Sequence, residues 1–202
     1  MIPKIIHRVV PRNTTPTMEK CWESVIQNTK DYEHYTHYDD GDYEIIGDLL
    51  PLCEKGAFKA DLIRLEVLYK YGGIYLDSDV ELYKSIDNLL DTDLFVCRED
   101  DKYIVNTIIG SSLNNSNILE LISRSRKLIE ENRLVYPYLF KYQESDEVQM
   151  AFGPFILHEY LSSVNSVTVL ESSSFGMFYH KDSKDAEYGK HLYAGSWVNN
   201  DI

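Results

Sequence analysis

No run of about 18 apolar residues, the length that crosses a bilayer, occurs anywhere in this chain. The opening segment Met1-Ile2-Pro3-Lys4-Ile5-Ile6-His7-Arg8 breaks its short apolar stretch with charge at once, which argues against a secretory leader. The expected location is cytoplasmic, or peripheral to the inner membrane through a partner. Positive charge is scarce as well: 20 Lys and Arg stand against 33 Asp and Glu, a formal charge of −13. Nucleic acid and anionic membrane surfaces both select a positive field, so neither is an expected partner. Cysteine is limited to Cys21, Cys53 and Cys97, far apart and without Cys-x-x-Cys spacing. They read as small buried thiols rather than zinc or redox ligands. Internal repeats, low-complexity tracts and long linkers are missing too, and 202 residues with 44% hydrophobic content suffice for one well-buried core.

What is present is an alternation of strand and helix signals. Residues 5–10 read as an apolar strand ended by Pro11, followed by a helix over about 18–29 and a second strand over 32–38. A helical segment is expected to run from the Asp39-Asp40-Gly41 turn to about Leu50, stopped by Pro51. The strongest helix is 57–71, where Leu62, Leu65, Leu68 and Tyr69 recur at helical spacing and Gly72-Gly73 supplies the stop. Strands are expected at 94–97, 104–109, 167–170 and 175–179, and helices at 115–131 and 146–161, the last interrupted by Gly153-Pro154. The expectation is one α/β domain over 1–202 with a mainly parallel sheet flanked by helices, whose ligands bind at the carboxyl ends of strands.

At one such end lies Ile74-Tyr75-Leu76-Asp77-Ser78-Asp79-Val80. Period-two spacing along an extended strand points both carboxylates to one side, where mutual repulsion is relieved by a divalent ion such as Mg2+ or Mn2+. On the preceding helix Asp61 and Arg64 are three apart and share a face. They intrude into an otherwise apolar stretch, so they need polar partners. Near the end, His191-Leu192-Tyr193-Ala194-Gly195-Ser196-Trp197 offers an imidazole, a hydroxyl and an indole N–H within seven residues. Read singly, the aspartates suit a solvated turn, Asp61 and Arg64 an exposed ion pair, His191 a polar tail and Trp197 a core aromatic.

Together, Ile2-Pro3-Lys4-Ile5-Ile6-His7, Lys59-Ala60-Asp61-x-x-Arg64, Tyr71-Gly72-Gly73-Ile74-Tyr75-Leu76-Asp77-Ser78-Asp79, Gly153-Pro154 and His191 to Trp197 resemble the sugar-transferase family that contains the Asp-x-Asp motif. That family includes bacterial capsule and polysaccharide glycosyltransferases, fungal initiating mannosyltransferases and, more distantly, bacterial glucosylating toxins. The resemblance implies a GT-A fold (a Rossmann-like sheet flanked by helices), a UDP- or GDP-linked sugar donor, Mn2+ or Mg2+, and retention of anomeric configuration in polysaccharide biosynthesis. It implies Asp79 as direct metal ligand, Asp77 reaching the metal through water or touching the donor ribose, and His191 as a further metal ligand. Asp61 and Arg64 would grip the sugar, with Asn106 beside it. Tyr75 and Ser78 would adjoin the donor, Ser196 and Trp197 the diphosphate, and Ile6 and His7, at the end of the first strand, the base. A carbohydrate is the implied acceptor.

Three other readings compete. A strand ending in Asp-x-Asp also serves haloacid-dehalogenase phosphatases, but there the first aspartate lies near the N-terminus, whereas 76 residues precede Asp77. Transfer to a protein acceptor and a glycan- or nucleotide-binding module without chemistry both fit the same residues.

Overall fold

The Ile- and Val-rich segments pair as strands. The computed structural model describes residues 1–53, 55–99, 102–135, 153–176 and 186–194. In chain order the elements are β1 (Ile5–Val10), α1 (Pro16–Asn28), β2 (Glu33–Tyr38), α2 (Gly56–Tyr71), β3 (Gly73–Leu76), β4 (Val80–Leu82), β5 (Leu94–Glu99), β6 (Tyr103–Ser111), α3 (Ser116–Val135), α4 (Pro154–Leu161), β7 (Thr168–Leu170) and β8 (Gly189–His191). Among the described residues, six strands form the main sheet in the order β2-β1-β3-β6-β5-β7. The β1–β2, β1–β3 and β5–β7 pairs are parallel, whereas β6 runs antiparallel to both β3 and β5. Five strands therefore point their carboxyl ends the same way.

Alternation along the strands divides the core. Tyr75, Val96 and Ile109 face Leu62, Leu65 and Leu68 of α2 and Ile118 and Ile122 of α3. Ile6, Ile74, Leu76, Phe95 and Ile108 face the opposite way, packing with Val25 of α1 and with Leu82 and Ile86. The start of α1 is set by Thr15, whose hydroxyl accepts from the Met18 N–H at 3.3 Å, with Pro16 in the first turn. Helix α2 ends at Gly72 (φ +64), followed by Gly73 (φ +94). A Cβ would lie 2.8 Å from the Leu113 nitrogen at the first and 2.6 Å from the Ile5 carbonyl at the second. Two consecutive left-handed residues in contact with backbone admit only glycine without strain.

Three expected elements differ. The segment before Pro51 is a series of turns closing in a 3-10 turn, Leu50–Leu52, with Pro51 inside it. The cause is Glu66, buried on α2, whose carboxylate accepts the backbone N–H groups of Glu44, Ile45 and Ile46, each at 2.9 Å. An outside anion thus satisfies donors that a helix would have left to itself. Strand β3 stops at Leu76, and Asp77-Ser78-Asp79 is a tight turn in which the Val80 N–H donates to the Asp77 carbonyl at 3.1 Å. Phe175 and Gly176 (φ +57) form a turn rather than a strand start, and residues 177–179 lie outside the described residues. Helix α4 begins at Pro154, one of the two outcomes expected of that proline, a new helical start or a kink; residues 146–152 lie outside the described residues.

Candidate active site

Arg64 is the centre of the polar cluster at the carboxyl end of β3. It is 4% exposed, and burial of an unpaired guanidinium would be prohibitive. Its hydrogen-bonding groups are engaged: Nη2 pairs with Asp61 Oδ1 at 2.8 Å, Nη1 with Asp77 Oδ1 at 3.3 Å and with the Asn106 carbonyl at 2.6 Å, and Nε with the Ala60 carbonyl at 3.1 Å. The guanidinium also lies 4.5 Å over the Tyr75 ring. Tyr75 donates its hydroxyl to Asp77 Oδ1 at 2.7 Å. One oxygen of Asp77 is thus engaged by Tyr75 and Arg64. The Asp77 N–H is bound to the Thr107 carbonyl of β6 at 2.9 Å.

Asp61 holds the other end of this network. Its Oδ1 accepts from Asn106 Nδ2 at 2.7 Å. Burial pushes its carboxyl up to about 6, a rise that Arg64 and Asn106 oppose and Asp77 reinforces. Over its Oδ2 passes Gly153, where a Cβ would fall 2.5 Å from that oxygen and 2.8 Å from Asn106 Nδ2. That close approach leaves no room for a side chain at Gly153.

Asp79 occupies the far side of the turn. The two short strands β4 and β8 pair antiparallel, with Val80 opposite His191, which carries His191 Nε2 to 3.2 Å from Asp79 Oδ1. The Ala194 N–H donates to Asp79 Oδ2 at 2.9 Å, and the Leu192 N–H to the Asp79 carbonyl at 3.0 Å. Burial raises the Asp79 carboxyl, but His191 and the Ala194 N–H outweigh it and hold it below the usual range. Conversely, burial disfavours charge on His191, yet Asp79, Asp77 and Glu99 together raise it above the ordinary imidazole value. Among the described residues, Asp77, Asp79 and His191 form a group whose ligand atoms all lie within 4.8 Å of one another. Two carboxylates and an imidazole in that spacing fit a divalent cation, and borderline Mn2+ accepts both donor types. Among the described residues, His191 Nδ1 is buried without a hydrogen-bond partner.

The structure therefore brings together Asp61, Arg64, Tyr75, Asp77, Ser78, Asp79, Asn106 and His191 along the turn, α2, β6 and β8. The same-side placement of the two carboxylates arises from the turn, not from strand alternation as expected. Ile6 and His7 do not stand at the end of the first strand. They lie in its first half, level with Ile74 and Tyr75, and are 0% and 1% exposed. His7 is bound through Nε2 to the Gly72 carbonyl at 2.9 Å and through Nδ1 to His37 Nε2 at 3.0 Å, and burial lowers its imidazole to about 4. Ser196 and Trp197 lie outside the described residues. Gly153 appears in the sequence only as a helix breaker, and its contact with Asp61 has no local signal. Glu66 sits two residues beyond Arg64 in the same apolar helix, and that intrusion was the available clue to its burial.

Residues 15–96 match the family described as the glycosyltransferase sugar-binding region containing the DXD motif. Inositol phosphoceramide mannosyltransferase 3 of Schizosaccharomyces pombe is 33% identical to this chain over 166 residues, which are 77% of this chain and 44% of that protein. The chain thus spans less than half the length of this curated relative. Of solved structures, the PaToxG glycosyltransferase superposes with a TM-score of 0.58 at 20% identity, over 79% of this chain and 69% of that one. A glycosyltransferase involved in the glycosylation of the major capsid of PBCV-1 superposes with a TM-score of 0.54 at 16% identity, over 94% and 93%. At such identities these likenesses speak for the fold, which is GT-A. No helix of the described residues is long and apolar enough to cross a membrane.

Proposed function

We propose that this chain, whose residues 15–96 match the glycosyltransferase sugar-binding region containing the DXD motif, moves a hexosyl group from a UDP- or GDP-linked donor to a hydroxyl acceptor, with retention of configuration. The observation that carries this reading is the convergence of Asp77, Asp79 and His191 within 4.8 Å beside the buried Asp61–Arg64 pair. Mn2+ or Mg2+ held by those three residues would neutralise charge developing on the departing diphosphate.

The remaining work falls to the protein's own groups. Arg64 is kept charged and immobile by five contacts, so it fixes Asp61 as an oriented acceptor for sugar hydroxyls without rotamer freedom to lose on binding. Asn106 donates to the same carboxylate. Tyr75 and Arg64 engage one oxygen of Asp77 and direct the other toward the ion or the donor ribose. Ser78 lies between the two aspartates, within reach of the donor, and Ser196 and Trp197 would donate to phosphate oxygens as the leaving group gains charge. The acceptor hydroxyl then attacks from the leaving-group face, and the departing phosphate takes its proton. No covalent nucleophile is required.

A carbohydrate is the proposed acceptor class, and the relative's name makes mannose the first donor sugar to try. The test is a panel of UDP- and GDP-hexoses assayed for Mn2+-dependent hydrolysis, with the wild type and Asp79→Asn compared. The expected result is turnover of one donor, reduced about 100-fold or more in the variant. Equal turnover in Asp79→Asn, or phosphomonoester hydrolysis with no nucleotide-sugar turnover, would overturn the reading.

A further inference from the structure

Tyr193 has a left-handed backbone, φ +49, a conformation that costs a non-glycine residue about 1 kcal/mol or more. Such strain persists only where the surroundings impose it, and here four contacts do so. The Leu192 N–H before it and the Ala194 N–H after it both bind Asp79, one at the carbonyl and one at the carboxylate. Its ring packs against His191 with centroids 4.1 Å apart. Its hydroxyl donates to Glu99 Oε1, at the end of β5, at 3.1 Å. The left-handed turn is what allows N–H groups on both sides of one residue to reach the same aspartate.

We propose that Tyr193 and Glu99 form a latch that positions His191 and the Ala194 N–H against Asp79, and so sets the affinity of the turn for a divalent cation. The latch rests on the cation-binding reading above. Tyr193 touches neither reacting atoms nor the ion; it acts through His191 and Asp79. Without the hydroxyl, the left-handed turn loses a contact that ties it to Glu99 of the main sheet, and the strain favours release of the loop. Without the ring, His191 loses the surface that fixes its plane. Groups that orient metal ligands in this manner typically change metal affinity about 10- to 100-fold when removed.

The experiment compares the wild type with Tyr193→Phe, Glu99→Ala, Glu99→Gln and Tyr193→Gly. Mn2+ affinity is measured by isothermal titration, and backbone amide exchange at Leu192 and Ala194 is measured in the metal-free protein. Tyr193→Phe and Glu99→Ala are expected to weaken Mn2+ binding about tenfold, to speed amide exchange at Ala194 about tenfold, and to be no worse in combination than singly. Glu99→Gln, which keeps an acceptor oxygen, is expected to restore both readouts. Tyr193→Gly relieves the strain but removes ring and hydroxyl, and is expected to be the weakest binder of all. Mn2+ affinity and exchange both within twofold of wild type in Tyr193→Phe would overturn the latch. A wild type that binds no Mn2+ while Tyr193→Phe still accelerates exchange would instead overturn the cation reading and leave the latch as a clamp on the Asp79 loop.

Discussion

Replacing Asp61 with Asn is expected to make the metal-free protein more stable at neutral pH while removing its activity. The folded protein keeps this carboxyl in a buried site that raises it from 3.8 to about 6. The fold therefore holds the proton more tightly than the unfolded chain does, and acid favours the fold at this group. Its contribution is fully present below about pH 3.8 and is lost as pH rises through about 6. At about 1.4 kcal/mol per pH unit, the rise amounts to about 3 kcal/mol in all, about 2 kcal/mol of it between pH 4.5 and pH 7.5. Asparagine has no proton to lose and still offers an acceptor to Asn106 and Arg64, while Arg64 retains Asp77 and the Asn106 carbonyl. Urea unfolding of both proteins at about pH 4.5 and 7.5 with a chelator present isolates the effect, because the histidines titrate equally in both. The stability of Asp61→Asn relative to wild type is expected to improve by about 2 kcal/mol over that interval. A difference constant to within about 0.5 kcal/mol would refute the claim that burial raises this carboxyl.

Two further substitutions test the frame around the site. Glu66→Ala leaves the N–H groups of Glu44, Ile45 and Ile46 without their acceptor and is expected to cost about 3 kcal/mol or more in urea unfolding, with Glu66→Gln intermediate; a loss under about 1 kcal/mol would show that water replaces the carboxylate without penalty. Gly153→Ala places a methyl group 2.5 Å from Asp61 Oδ2, which forces Asp61 or the Gly153 backbone to move; donor turnover is expected to fall about tenfold or more with a stability loss of about 1–3 kcal/mol, and wild-type kcat/KM would contradict the close approach.

Much of this was legible in the residues because the signals were local. The apolar strands, the helix at 57–71 and its double-glycine stop each follow from spacing and backbone conformation within a few residues. The Asp61–Arg64 pair was equally legible, since helical periodicity alone places i and i+3 side by side. The geometry of Asp77-Ser78-Asp79 was not, because a strand and a tight turn both put carboxylates two apart on one side, and what stops the strand is hydrogen bonding to β6 and within the turn. The segment before Pro51 was misread for a related reason: the anion that shapes it lies on α2, about 20 residues away, and backbone N–H groups carry no side-chain pattern. His7 has the residue type of a ligand-facing group, but its neighbours His37 and Gly72 come from other parts of the chain and absorb both ring nitrogens.

The span between the Asp79 carboxylate and the N–H that grips it is 115 residues. During synthesis at roughly 5–20 residues per second, about 6 to 23 s pass between the appearance of one and of the other. Throughout that interval the early aspartates stand beside Arg64 without the ribbon that completes their site. The nascent sheet can gather strands from β1 through β7 in turn, and the proposed donor site closes only with β8, the last of the described strands. A released chain truncated before Gly189 keeps every strand of the main sheet and is therefore expected to fold without gripping a cation, so that the proposed site is completed after, and separately from, the sheet.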